Sequence, residues 1–190
     1  MKTAGVILAG GRSSRYGKQK LFEEYNGAPL YQQSITAMTN AGIPSIYIVT
    51  NQELACAFNH ANVIIEPNAH GGPLSALYTA MEELSSHPFD WLQILAGDLP
   101  YMSKDIVQAN LRAANSLPSA DIILPTAKRY QPLHAAYHMR LLPRLRELIK
   151  KESSMKALYE TVNTYTLSFS PNHPAFININ QPEDWHLKEE

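Results

Sequence analysis

Short apolar, β-branched runs alternate along this chain with longer stretches in which apolar residues recur every three or four positions. The runs at Gly5 to Ala9, Ser45 to Thr50, Val63 to Glu66, Trp91 to Ala96 and Asp121 to Pro125 have the length of strands buried on both faces. Between them, Leu30, Ser34, Met38 and Ala41 share one helical face, and Gly42 stands where that helix should stop. Leu74, Leu77, Met81 and Leu84 repeat the spacing, as do Val107, Leu111 and Ala114 behind Ser103 as an N-cap. Strands alternating with helices predict parallel βαβ crossovers. The expected fold is therefore α/β, a doubly wound, three-layer, mostly parallel sheet of six or seven strands with a Rossmann-like arrangement.

After Pro125 the rhythm changes. Leu133 to His138 reads as a strand, and Leu141, Leu142, Leu145, Leu148 and Ile149 as a helix. A second short helix is expected from Ser154, then strands at Thr164 to Phe169 and Phe176 to Asn178, with a loop from Pro171 to Pro174. The length of 190 residues, with no linker or internal repeat, suits a single domain over residues 1–190.

Composition narrows the function. The formal net charge of −1 supplies no global field to draw the protein onto nucleic acid or an acidic membrane, so neither is expected as a partner. No stretch approaches a membrane span, and the first apolar run is too short for a signal-peptide core, so a cytoplasmic location is expected. Cys56 is the only cysteine, which excludes an intrachain disulfide and a cysteine-built zinc site. With no lysine or arginine near it in sequence, it is expected to be a buried, inert thiol. His134 and His138 lie four apart in a strand-like segment without the glutamate of H-E-x-x-H, so a structural role is expected rather than a metal site.

The concentrated chemistry sits at the end of the first strand. Leu8-Ala9-Gly10-Gly11-Arg12-Ser13-Ser14-Arg15-Tyr16-Gly17-Lys18-Gln19-Lys20 carries four cations, Arg12, Arg15, Lys18 and Lys20, and no acidic residue precedes Glu23. Adjacent glycines let backbone N–H groups approach a ligand, and ligands of open α/β sheets bind beyond the carboxyl ends of the strands. A polyphosphate fits this loop better than solvent does. Two familiar phosphate loops are excluded. Five residues separate Gly11 from Gly17-Lys18 and Gln19 follows, against the P-loop; the adjacent glycines do not make G-x-G-x-x-G.

Two further segments belong with this loop. Asp98, in Leu95-Ala96-Gly97-Asp98-Leu99-Pro100, is a carboxylate just past a buried strand, a position suited to Mg²⁺ shared with phosphate oxygens. Gly71-Gly72-Pro73-Leu74 is a glycine-proline helix entry that could close over a base or sugar.

Taken in order, these segments resemble the molybdenum cofactor guanylyltransferases, within the larger group of sugar-phosphate and cofactor nucleotidyltransferases. That family opens L-A-G-G-x-S-x-R-M-G-x-D-K, and this chain has L-A-G-G-R-S-S-R-Y-G-K-Q-K. The G-P-L at Gly72, Asp98 with Leu99-Pro100, and Gln131-Pro132-Leu133 with Tyr137 match in order. So does Asn178-Ile179-Asn180-Gln181-Pro182-Glu183-Asp184, which is similar to N-I-N-T-P-E-D. Tyr16, Gln19, Ala76 and Gln181 depart from methionine, an acidic residue, glycine and threonine.

The resemblance implies a nucleotidyltransferase fold and transfer of GMP from GTP to the phosphate of molybdopterin, with Mg²⁺ as cofactor. Leu8, Ala9, Gly10, Gly11, Arg12, Ser13 and Lys20 would then bind nucleotide, with Asn51, Glu66, Gly72, Pro73, Leu74 and Asp98. Gly10 favours GTP, since relatives that use cytidine or uridine nucleotides often read L-A-A-G. Arg15, Lys20 and Asp98 would be catalytic, Asp98 the metal ligand, and Gln131, Asn178 and Asn180 the acceptor site. Residues 1–125 would form the nucleotide half and 126–190 the acceptor half. Protein partners in cofactor delivery are also implied. Rival expectations are a cytidylyltransferase, a sugar-1-phosphate enzyme of the same fold, or a GTP-binding module without turnover.

Overall fold

The computed structural model describes residues 1–13, 16–67, 71–151, 154–179 and 184. The chain enters through β1 (Thr3–Leu8) and a small hairpin, β2 (Glu24–Tyr25) and β3 (Ala28–Pro29), and continues into α1 (Tyr31–Asn40) and β4 (Ile46–Thr50). β5 (Val63–Ile65), α2 (Gly72–Glu83), β6 (Trp91–Ala96), α3 (Lys104–Ser116) and β7 (Ile122–Thr126) follow. The last elements are β8 (Ala136–His138), α4 (Leu142–Ile149), α5 (Met155–Tyr159) and β9 (Thr164–Ser168).

One seven-stranded sheet runs in the order β5-β4-β1-β6-β8-β7-β9. Every neighbouring pair is parallel except those made by β8, which runs antiparallel between β6 and β7. Alternation along β1 explains the layering. Ala4 and Val6 join one apolar cluster with Leu77, Ala80 and Met81 of α2 and Leu145 and Leu148 of α4. Ile7 and Ala9 join the other, with Ala37 and Met38 of α1 and Ile106 and Val107 of α3. β6 is buried at all six positions, as expected of a central strand covered on both faces.

The connections move outward from β1 to β4 and β5, then return across β1 to β6. The loops after β1 and β6 thus flank the point where the winding reverses, which is where such sheets open a crevice. Helix α1 stops where the sequence places its stop. Gly42 adopts φ of 93°, and Gly42 N–H donates to the Thr39 carbonyl at 3.0 Å, a left-handed conformation that glycine takes without a Cβ penalty.

Three expectations need correction. Leu133 to His138 is not one strand: Pro132–His134 forms a 3-10 turn and only Ala136–His138 pairs, because the Tyr137 hydroxyl ties back the Pro132 carbonyl at 2.8 Å. Phe176 to Asn178 is not a strand either. Pro174–Phe176 forms a 3-10 turn, consistent with Pro174 having no N–H for a ladder. Cys56 is exposed rather than buried, since it lies in a 3-10 turn, Ala55–Ala57, with no buried residue. Ser103 is the N-cap of α3, as expected, with an extended backbone and no capping bond from its side chain. Among the described residues, no helix is long and apolar enough to cross a membrane.

Candidate active site

A cavity of about 400 Å³ opens at the carboxyl edge of the sheet. Leu8 to Ser13, from the last residue of β1 onward, form one wall, and Ala96, Gly97 and Asp98, from the last residue of β6 onward, form another. Gly72, Pro73 and Ala76, at the start of α2, close a third side. Lys20 and Leu21 come from the far end of the glycine loop, Glu66 from beyond β5, and Leu133 and Asn178 from the C-terminal third of the chain. These residues are far apart in sequence, and the winding reversal brings them to one crevice.

The loop is held from behind through its carbonyls. Thr50 Oγ1 donates to the Ala9 carbonyl at 2.9 Å, Asn51 Nδ2 to that of Gly10 at 3.2 Å, and Gln19 Nε2 to that of Gly11 at 3.0 Å. Engaging consecutive carbonyls behind a loop favours presentation of its N–H edge to a ligand. Gln19 also accepts from the Ser13 hydroxyl at 2.7 Å, so its amide donates and accepts at once. A carboxylate could not make both bonds, which gives the departure at this position a structural reason. Tyr16 likewise has a packing role, buried in a small cluster with Leu30 and Ile179.

Gly10 stands close against Glu66. A Cβ on it would stand 3.0 Å from Glu66 Oε2 and 3.7 Å from the Asn51 backbone nitrogen, so the buried Glu66 carboxylate occupies the space that an alanine would need. Helix α2 directs its N-terminal turn at the cavity, with Pro73 in its first turn. This is the end of a helix that favours negative charge.

At the floor, Lys20 Nζ lies 2.7 Å from Asp98 Oδ2, their side chains 12% and 17% exposed. Lys20 also donates to the Ile179 carbonyl, and Ile179 N–H donates to the Asp98 carbonyl at 3.2 Å. The second carboxylate oxygen, Asp98 Oδ1, is buried and has no hydrogen-bond partner among the described residues. A buried, anionic hard oxygen beside a cavity fits a hard cation such as Mg²⁺. Among the described residues no group of three acidic, histidine or cysteine side chains gathers to hold a metal. Asp98 would therefore need oxygens from a bound ligand to complete a coordination sphere.

Some expected site residues stand elsewhere. Asn51 lies beneath the loop, bonded to Gly10 and to Leu54 N–H at 3.0 Å, and not on the cavity wall. Leu74 is in the core packed by α2. Gln131 does not line the cavity; its backbone precedes the Pro132–His134 turn, while the neighbouring Leu133 is on the wall. Arg15 and Asn180 lie outside the described residues, as do Ser14 and Gln181. Leu21, Ala96 and Gly97 line the cavity without having been singled out. Their signal was adjacency to Lys20 and Asp98. His134 and His138 serve separate partners: His134 Nε2 bonds the Ala175 carbonyl at 3.1 Å, and His138 Nδ1 accepts from Arg140 N–H at 3.0 Å.

Known proteins resemble this chain in sequence and fold. A profile of the MobA-like NTP transferase domain matches residues 5–165. The probable molybdenum cofactor guanylyltransferase of Geobacillus sp. (strain WCH70) is 30% identical, over 97% of this chain and 96% of its own length. The molybdenum cofactor guanylyltransferase of Vibrio atlanticus (strain LGP32) is 31% identical, over 96% and 93%. Among solved structures, the molybdopterin-guanine dinucleotide biosynthesis protein A of Archaeoglobus fulgidus shares the fold. Its TM-score is 0.76 at 18% identity, over 95% of this chain and 94% of that one. The chain belongs to the MobA-like NTP transferase domain family and is a nucleotidyltransferase related to the molybdenum cofactor guanylyltransferases.

Proposed function

We propose that this protein transfers GMP from GTP to the phosphate of molybdenum-loaded molybdopterin, forming the guanine dinucleotide cofactor and releasing pyrophosphate. The observation that carries the reading is the Lys20–Asp98 pair at the floor of the glycine-loop cavity, in a chain with full-length guanylyltransferase relatives.

The chemistry is a displacement at the α-phosphorus. A bond forms from an oxygen of the acceptor phosphate, and the bond to the bridging oxygen breaks, pyrophosphate leaving with the electron pair. A phosphate monoester is largely dianionic at neutral pH, so its oxygen attacks without a general base. Residues 8–13 and the start of α2 hold the triphosphate and base, and Glu66 borders the base end beside Gly10. Lys20 transfers its charge from Asp98 to the phosphates, with Arg15 adding a second cation, and both stabilise charge on the α-phosphorus and leaving group. Magnesium bound at Asp98 would neutralise charge on the triphosphate oxygens. Asn178, with Asn180 and the Gln131 region, faces the acceptor, where amides suit a pterin rich in donors and acceptors. Asn51 acts through Gly10, by holding the loop.

The same reading divides the domain into a nucleotide half, about 1–125, and an acceptor half, about 126–190. It places the enzyme in the cytoplasm, with delivery proteins as partners. Incubation with GTP, Mg²⁺ and molybdenum-loaded molybdopterin, followed by mass analysis, tests it: a guanine dinucleotide product supports the reading, and unchanged pterin refutes it.

A further inference from the structure

The segment that carries Asn178 to the cavity has no ladder to hold it, since it is neither strand nor long helix. Its far end is tied by a backbone bond from Ile179 to Asp98, and its near end is attached through side chains. Ala175 is fully buried, and both of its backbone polar groups are taken by imidazoles. Its N–H donates to His173 Nδ1 at 3.2 Å, and its carbonyl is bonded to His134 Nε2 at 3.1 Å. A carbonyl only accepts, so His134 carries its proton on Nε2. Burial pushes the His134 pKa down to about 4, so the ring is a neutral donor throughout the physiological range.

His134 is itself fixed. Its backbone carbonyl accepts from Asn110 Nδ2 at 2.6 Å and from Gln93 Nε2 at 3.1 Å, in the centre of the sheet and its covering helix. Its ring meets that of Phe176 edge-on, centroids 5.0 Å apart, and its neighbour Leu133 lines the cavity. Three residues past Ala175, Asn178 lines the same cavity, and Ile179 is bonded to Asp98 and Lys20.

We propose that His134 is a positioning residue for the transfer reaction: its neutral imidazole holds the 174–179 segment, and so fixes Asn178 at the acceptor side of the cavity. This rests on reading Asn178 as part of the acceptor site. The far end of the segment is held separately by Asp98 and Lys20. Loss of the His134 bond therefore loosens the acceptor side and leaves the nucleotide side in place.

The test compares His134→Leu, which removes the donor, with His134→Gln, whose amide nitrogen reaches a similar position. Hydrogen exchange of the peptide covering residues 174–179 should quicken roughly tenfold or more in His134→Leu. Its KM for molybdenum-loaded molybdopterin should rise by about tenfold, while the Kd for Mg²⁺-GTP by calorimetry stays within about twofold. His134→Gln should restore both towards wild type. Unchanged exchange and KM in folded His134→Leu overturns the proposal, as does an equal weakening of nucleotide and acceptor, or a His134→Gln indistinguishable from His134→Leu.

If His134→Leu does not fold, His134→Phe carries the test. It keeps a ring beside Phe176 but has no N–H to give the Ala175 carbonyl, and should give the same split; wild-type exchange and KM in that variant overturn the proposal. Exchange needs no acceptor, so a wild-type protein inert towards molybdopterin would refute the acceptor reading while the exchange result still decides the role of His134.

Discussion

Lys20 and Asp98 meet at 2.7 Å across the floor of the cavity, one delivered by the loop after β1 and the other by the end of β6. Both side chains are largely removed from water, so each charge depends on the other, and removing one leaves its partner uncompensated. On the proposed function, a nucleoside triphosphate would draw Lys20 away from Asp98 and leave that carboxylate available to a cation.

Replacing Asp98 by Asn should therefore have opposite effects on two quantities. Turnover with Mg²⁺ should fall by on the order of 10²-fold or more. Binding of GTP in the presence of a chelator should tighten several-fold, because Lys20 is no longer engaged by a carboxylate. Steady-state kinetics and calorimetry check both; near-normal turnover would remove Asp98 from the mechanism.

A side chain at Gly10 would crowd the Glu66 carboxylate. Gly10→Ala places a Cβ 3.0 Å from Glu66 Oε2, and overpacking of a close site costs roughly 1–3 kcal/mol. The affinity for GTP should drop by about tenfold or more, with a smaller loss for CTP, whose smaller base tolerates a displaced Glu66. Titration of each nucleotide against wild type and variant measures this, and an unchanged GTP Kd would detach Gly10 from base selection.

Acid stability should report on His134. Its folded pKa is about 4, lowered mainly by burial, against 6.5 for the ordinary side chain. Below pH 6.5 the unfolded chain takes up a proton that the folded chain refuses, so this group favours folding less as the pH drops. Its contribution is fully present above pH 6.5 and is lost progressively between 6.5 and about 4. A difference of this size corresponds to about 3 kcal/mol. Urea denaturation from pH 7 to pH 4 should show the decline, and His134→Gln should flatten it; an identical slope in the variant contradicts the assignment.

Gly42 closes α1 at φ of 93°, where an alanine has no steric clash to relieve but a strained backbone to hold. Gly42→Ala should cost about 1 kcal/mol, visible as a fall of about 2–4 °C in Tm for a chain of this size. No fall would mean that the helix end relaxes to another conformation.

The fold was legible because the core obeys simple periods. β6 is a continuous apolar run buried at every position, and the Leu74, Leu77, Met81 and Leu84 face is the buried face of α2 and its cap. The β2–β3 hairpin escaped notice although Asn26-Gly27 sits at its turn, a dipeptide that favours tight hairpins; its strands of two residues are too short to alternate. The site was legible where chemistry lay on consecutive residues, from Leu8 to Ser13 and at Asp98. It was not legible where function depends on contacts across the chain. Nothing local indicates that Lys20 pairs with Asp98, that Asn51 lies behind Gly10, or that His134 holds Ala175. The apolar residues within 176–178 satisfy a strand pattern, but the Phe176 and Ile177 N–H groups turn back to the His173 and Pro174 carbonyls instead of pairing with a neighbouring strand.

If this site joins GTP to a molybdopterin phosphate, each turnover releases one pyrophosphate. Reactions contain Mg²⁺, molybdenum-loaded molybdopterin and either GTP or CTP. Pyrophosphate should appear with GTP and little with CTP. Release with CTP in preference to GTP, or no release with either nucleotide, would contradict the proposed function.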